Sequence, residues 1–147
     1  MSTEENKALI RRFYEEGWNE GNVAVAEEIF APTYVLHDPA LPGLPPGPEG
    51  VKQVLTLYRT AFPDAHLTVE DIVVGADGEK FVSRWTARGT HQGQLRNIAP
   101  TGKPILVTGI AIWHIVDGKV VERWENWDTL GLFQQIGATI TPPEPAS

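Results

Sequence analysis

The stretch GKVVERWENWDTLGLFQQIG, residues 118–137, changes its periodicity halfway. From Val120 to Trp127 it is rich in β-branched and aromatic side chains, which suits a strand. Asp128 then stands where a helix cap belongs. Leu130, Phe133 and Ile136 recur at helical spacing up to Gly137, a natural helix stop. Three carboxylates, Glu122, Glu125 and Asp128, lie among Trp124 and Trp127 where strand gives way to helix. A carboxylate held between indoles loses hydration, so its proton affinity rises toward the range useful in acid–base catalysis. The same residues also describe a strand with solvated charges, closed by an Asp cap.

Working outward, Asp117-Gly118 between apolar runs predicts a tight hairpin that joins Lys119–Trp127 to a strand over Pro104–Val116. Further back, His66–Val74 and Lys80–Thr90 alternate as strands around a Gly75–Gly78 turn, and a loop runs on through Gly102. The first half reads as helices. Ser2 or Thr3 can cap the first, with Glu4 and Glu5 at its positive end, and Leu9, Ile10, Phe13 and Tyr14 form a stripe reaching Trp18. After a break at Asn19–Asn22, Val23–Phe30 reads as a second helix that Pro32 ends before an extended Tyr34–His37. The segment DPALPGLPPGP, residues 38–48, tolerates neither helix nor central strand; it reads as a stiff loop, either a rim over a site or a plain connection. Pro48 suits the start of a third helix whose face carries Val51, Val54, Leu55, Tyr58, Ala61 and Phe62, stopped by Pro63-Asp64.

Helices first and strands after predict an α+β domain over residues 1–138, its helices packed on one face of a curved, mostly antiparallel sheet, followed by a loose tail over 139–147. No internal repeat interrupts it. The 147 residues suffice for a core without staples, and the hydrophobic fraction of 41% is ordinary. With no cysteine, disulfides and thiolate chemistry are excluded. A net charge of −7 argues against nucleic acid, whose phosphates need a basic face, and favours a neutral or apolar ligand. The start, MSTEENKALIRR, has no apolar signal core, and no run is long enough to span a bilayer, so a cytoplasmic protein without membrane contact is expected.

The Pro104–Val116 strand adds a constraint. One face carries Ile105, Val107, Gly109, Ala111 and Trp113, and the other Leu106, Ile110 and Ile112. Both faces are apolar and both need cover. Helices can cover one, so a homodimer through the sheet is expected on the other. Gly109 and Ala111, small beside Trp113, would leave an opening for a ligand unless a large neighbour fills it.

RWTARGTHQG, the PTGK loop at Pro100–Lys103, and IVDGKVVERWENWDTLGLFQQIG together resemble the SnoaL-like polyketide cyclases and their ester-cyclase-like relatives, of the superfamily that holds nuclear transport factor 2, scytalone dehydratase and ketosteroid isomerase. FYEEGWNEGN and the HDP after Leu36 extend the likeness over about residues 5–137. The resemblance implies a conical α+β barrel, a strongly bent sheet wrapped round a long helix with a deep pocket at the wide end. It also implies cofactor-free, metal-free aldol closure of an aromatic polyketide methyl ester by a carboxylate on the last strand. That position falls on Glu125, and a later family aspartate on Asp128. A histidine and a glutamine that accompany the acid in the cyclases fall at Ala111 and Gly109.

The residues themselves name candidates for such chemistry. Glu125 or Asp128 would shuttle the proton. A developing enolate oxygen would need a donor, for which His37, His91, Arg84, Trp113 or Trp127 are available. By strict alternation Glu125 shares a face with Arg123 and Trp127, while Asp128 shares one with Trp124 and Asn126. Either face could be the inner one, and an ion pair of Glu125 with Arg123 or an N-cap role for Asp128 is the plain structural alternative. Trp18, Tyr58, Phe62, Trp85 and Trp113 are core or pocket wall. Arg84 lacks an acidic neighbour on its own strand and, if buried, would need Glu125 or Asp128. The four histidines, with His66 and His114 read as solvent-facing, have no metal-binding spacing. Three readings stay open: acid–base catalysis, as cyclase or isomerase, on a hydrophobic carbonyl compound; a non-catalytic pocket binding or carrying a lipid-like or aromatic molecule; or a structural dimer module whose pocket is vestigial.

Overall fold

The computed structural model describes residues 2–145. Ser2 caps the first helix, α1 (Thr3–Arg12), through a reciprocal pair of hydrogen bonds with Glu5. The helix continues without a break into a wider π-wound segment, Phe13–Asn19. There the Glu20 N–H donates to the Glu15 carbonyl, five residues back. The next elements are α2 (Val25–Ile29), β1 (Phe30–His37) and α3 (Pro48–Ala61). Four strands follow, β2 (His66–Val74), β3 (Lys80–Thr90), β4 (Pro104–Val116) and β5 (Lys119–Trp127), and then α4 (Thr129–Gln135). Residues 139–145 carry no regular structure and are exposed, and the last two positions expected in the tail, 146–147, lie outside the described residues.

The four sequence-predicted strands match the observed ones end to end. The second helix does not: it is only Val25–Ile29, and the chain is already a strand at Phe30, with Pro32 inside it rather than before it. The reason is position in the sheet, whose order is β1-β5-β4-β3-β2. As the edge strand, β1 pairs only with β5, in parallel, and the register breaks between Phe30 and Val35, so the missing proline N–H costs no ladder bond. The Asp117-Gly118 turn has φ of 48° and 75°, both left-handed as a type I′ hairpin requires.

Shifts of register in β2, between β4 and β5 and in β1 bend the sheet into a cone-like wrap. Its concave face holds the core, where Ile10, Phe13, Val25 and Leu55 from the helices meet Phe81, Val107 and Trp113 from the strands. Phe13, Tyr14 and Phe30 surround Trp113 with ring centroids 5.7, 5.9 and 6.2 Å away. The Trp113 N–H donates to Ser83 Oγ at 2.8 Å, and the Tyr14 hydroxyl pairs with the same oxygen. Trp113 is thus core, sealed from any ligand. No helix among the described residues is long and apolar enough to cross a membrane.

Candidate active site

β5 sets the inner floor of a hollow on the concave side. A register shift at His114/Ile115 leaves Val121 unpaired, so Arg123, Glu125 and Trp127 point inward and Trp124, Asn126 and Asp128 outward. The register places Ala111 opposite Glu125 and Trp113 opposite Arg123. The hollow has about 720 Å³ of unoccupied space, its mouth included. Its walls are mostly apolar. The π-wound segment contributes Tyr14 and Trp18, α3 contributes Val54 and Tyr58, Phe62 follows just beyond it, and Ile105, Val107 and Leu132 close the far side. The Tyr58 ring meets Trp18 at 6.2 Å and lies edge-on to Trp127 at 5.5 Å.

Glu125 is 7% exposed in that wall. One carboxylate oxygen accepts the Trp85 indole N–H at 3.0 Å, and the other accepts from Arg123 Nη2, also at 3.0 Å. Burial pushes its proton affinity up to about 7, against the Arg123 charge and the two hydrogen bonds that favour ionisation; nearby Asp38 adds to the rise. Arg123 is held over the Trp113 ring, 4.2 Å from its centroid. Burial alone would lower its proton affinity, but Glu125, Tyr34 and Tyr14 outweigh burial and hold it charged. Tyr58, half-buried, has its hydroxyl pushed up to about 12, chiefly by burial, so it keeps a proton to donate.

Several predicted site residues stand elsewhere. Asp128 is exposed and accepts the Gly131 N–H at 2.9 Å, capping α4. His37 leaves β1 on the outer side, where its ring stacks on Trp124 and its Nε2 meets Glu122 at 2.6 Å. His91 is wholly buried behind Phe62, where Nδ1 accepts the Thr101 N–H and holds the β3–β4 loop. Arg84 lies on the outer face of β3, exposed, because its neighbours Ser83 and Trp85 take the inner positions. The buried arginine is Arg123 instead. Ala111 is fully buried but does not line the hollow. No opening exists over Gly109, since a Cβ there would meet Trp85 Cζ2 at 2.3 Å and Trp127 Cβ at 2.7 Å. Large neighbours fill that space. Trp18, Tyr58, Phe62 and Trp127 do line the hollow.

Reasoning from sequence missed Asp38, whose carboxylate lines the hollow, accepts the Trp127 indole N–H at 3.3 Å and is braced by the Ala40 N–H at 2.8 Å. The HDP segment was its signal, read there for the histidine. The missed role of Tyr14 has no comparable signal, because its spacing from Ile10 marks only a buried face.

The family model of the SnoaL-like polyketide cyclases matches residues 8–136. The chain belongs to this family. It is 32% identical to the aklanonic acid methyl ester cyclase DnrD of Streptomyces peucetius, with 92% of this chain and 93% of that one covered. The structure of TsrD from Streptomyces laurentii superposes with a TM-score of 0.84 at 29% identity, over 95% of this chain and 99% of that one. IdmH from Streptomyces antibioticus gives a TM-score of 0.76 at 33% identity, over 90% and 99%. Within this SnoaL-like fold, Glu125 and Asp38 line the hollow, and Asp128 does not.

Proposed function

We propose that the protein performs cofactor-free acid–base chemistry on a hydrophobic carbonyl compound, with aldol ring closure of an aromatic polyketide ester as the favoured reaction and Glu125 as the proton shuttle. One observation carries this reading: a buried carboxyl group whose proton affinity is raised toward neutrality faces a mostly apolar hollow. Ionised Glu125 would remove a proton α to a ketone. Tyr58 and the Arg123 charge would stabilise the enolate oxygen, the enolate carbon would add to a second carbonyl, and Glu125 would return its proton to the new alkoxide. Protons and electrons balance within the substrate, so the sequence needs no redox partner. The name of the Streptomyces peucetius relative, an aklanonic acid methyl ester cyclase, supports the substrate class. The test is turnover of a panel of aromatic polyketide methyl esters and β,γ-unsaturated ketones. Cyclised or isomerised product is expected; binding of every compound without conversion would overturn it.

One observation favours a second reading, a non-catalytic pocket for an aromatic or lipid-like molecule. Both Glu125 oxygens already accept hydrogen bonds from the protein, as they would in a purely structural pair.

We further propose that the outer face of β4 is the contact between two copies of this chain. Leu106 is 42% and Ile110 51% exposed there, with Ile112 beside them, a row of apolar side chains left open by the described residues. Sedimentation should give a dimer at micromolar concentration, and Ile110→Lys should shift it toward monomer; a parent that sediments as a monomer would refute the contact.

A further inference from the structure

Among the described residues only two non-glycine positions have a positive φ, Asp117 at 48° and Arg96 at 52°. The hairpin explains Asp117. Arg96 stands in the β3–β4 loop as the first central residue of a two-residue turn, closed by hydrogen bonds between Leu95 and Ile98 at 3.0 and 2.8 Å. Glycine, asparagine or aspartate is the ordinary choice at that position, and an arginine there holds strained backbone. The turn is firmly seated. Leu95 is wholly buried, and the Gln92 and Gly93 N–H groups both donate to the Ala61 carbonyl at the end of α3, the helix that carries Tyr58. What the strain secures is the position of the Arg96 side chain. That side chain does not line the hollow, yet it reaches three segments that do. Its Nη2 donates to the Ala40 carbonyl at 2.8 Å, between the lining residues Asp38 and Leu41. Its guanidinium carbon sits 6.0 Å from the Phe133 ring centroid, next in sequence to the lining Leu132. Its charge also acts on Tyr58: burial raises that hydroxyl's proton affinity, Arg96 draws it down and Asp38 raises it. Ala40 in turn donates its N–H to Asp38 Oδ1 at 2.8 Å, so one residue links the Arg96 side chain to the Asp38 carboxylate.

We infer that Arg96 is a positioning residue for the site: without reaching the ligand, it holds the Tyr58 hydroxyl and the Asp38–Leu41 turn in the arrangement that a ligand carbonyl meets. The inference rests on Tyr58 donating to that carbonyl, as proposed above. A hydroxyl polarised by a neighbouring guanidinium is a stronger donor than an isolated one. A donor fixed in advance also costs less to order on binding. The strained turn is the means by which a residue outside the hollow acts on it.

The experiment measures binding of 9-fluorenone and fluorene, alike in shape but for the carbonyl oxygen, by quenching of tryptophan fluorescence. The parent should prefer the ketone about tenfold, the effect of one well-placed hydrogen bond. Arg96→Gly should cut that preference about threefold and leave fluorene affinity as it is, since the hydrocarbon asks nothing of Tyr58. Arg96→Lys, which keeps the charge, should retain part of it. Tyr58→Phe should erase the preference, and adding Arg96→Gly to it should change nothing further. Arg96→Gly should also melt higher than Arg96→Gln, because both lose the guanidinium but only glycine relieves the φ of 52°. A ketone preference that survives Arg96→Gly, or a loss of affinity for both probes alike, would overturn the inference while the proposed acid–base site stands. Equal binding of the two probes by the parent would remove Tyr58 as the donor, and failure of both to bind would remove the ligand site itself; either overturns the inference too.

Discussion

Glu125→Gln is expected to lower turnover by about 10²–10⁴-fold, the range that a positioned acid or base contributes, with ligand affinity changed little. Glutamine keeps the size and can still accept the Trp85 indole N–H, but it carries no titratable proton. The pH profile separates this from a packing defect. Proton abstraction needs ionised Glu125, so kcat/KM of the parent should rise as pH passes through about 7 and level off above it. The residual activity of the glutamine variant should lack that limb. Asp128→Asn serves as the control, because it alters a helix cap on the outer surface and should turn over like the parent. Equal turnover in the Glu125→Gln variant and the parent, or a parental limb near the ordinary value of 4.5, would remove Glu125 from the chemistry.

Why the sequence leaves two candidate acids standing can be traced to one residue. Counting back and forward from the Asp117-Gly118 turn pairs Val116 with Lys119 and Ile115 with Val120. Continued without interruption, that register would set Trp113 against Glu122 and turn Glu122, Trp124, Asn126 and Asp128 toward the core. The extra residue, Val121, shifts the pairing so that Trp113 faces Arg123 and Ala111 faces Glu125. A slip of one residue exchanges the two faces of a strand, and no side-chain pattern in Val120-Val121-Glu122 announces it. The strand limits themselves were legible, because turn residues and alternation agree at each of them. β1 was harder. Its proline signals a break, and only the strand's place at the sheet edge makes that proline harmless.

The same limit explains the other displaced candidates. The chemistry of their side chains makes His37, His91 and Arg84 candidates, whereas their positions follow from neighbours far along the chain. His91 is drawn inward by a loop that closes on it through Thr101, and His37 is turned outward onto Trp124 and Glu122. Aromatic residues on α3 and at its C-terminal cap are easier, since a clean amphipathic helix aims its whole stripe at one place. Tyr58 and Phe62 reach the hollow for that reason.

Arg123→Met should destabilise the protein by about 3–5 kcal/mol at alkaline pH, the usual cost of removing one member of a buried pair, and by clearly less at pH 5. The methionine fills much of the volume over Trp113 but leaves Glu125 without its cation. A buried carboxyl whose folded-state proton affinity lies above its unfolded value contributes stability that is complete below the unfolded value and is lost as pH rises through the folded one. For the parent, the rise from 4.5 to about 7 corresponds to about 3 kcal/mol lost across that window. The Arg123 charge works against the rise, so its removal should lift the folded value further and deepen the loss above pH 7. Below about pH 5 Glu125 is neutral in both proteins, and only lost packing and the cation–π contact separate them. Urea unfolding of parent and variant at pH 5, 7 and 9 measures this directly. The gap between the two should widen with pH, and the activity limb of the variant, if it turns over at all, should move to higher pH. A gap that stays constant from pH 5 to 9 would mean that Glu125 does not depend on Arg123 for its charge, and the argument for a tuned carboxyl in the hollow would lose its basis.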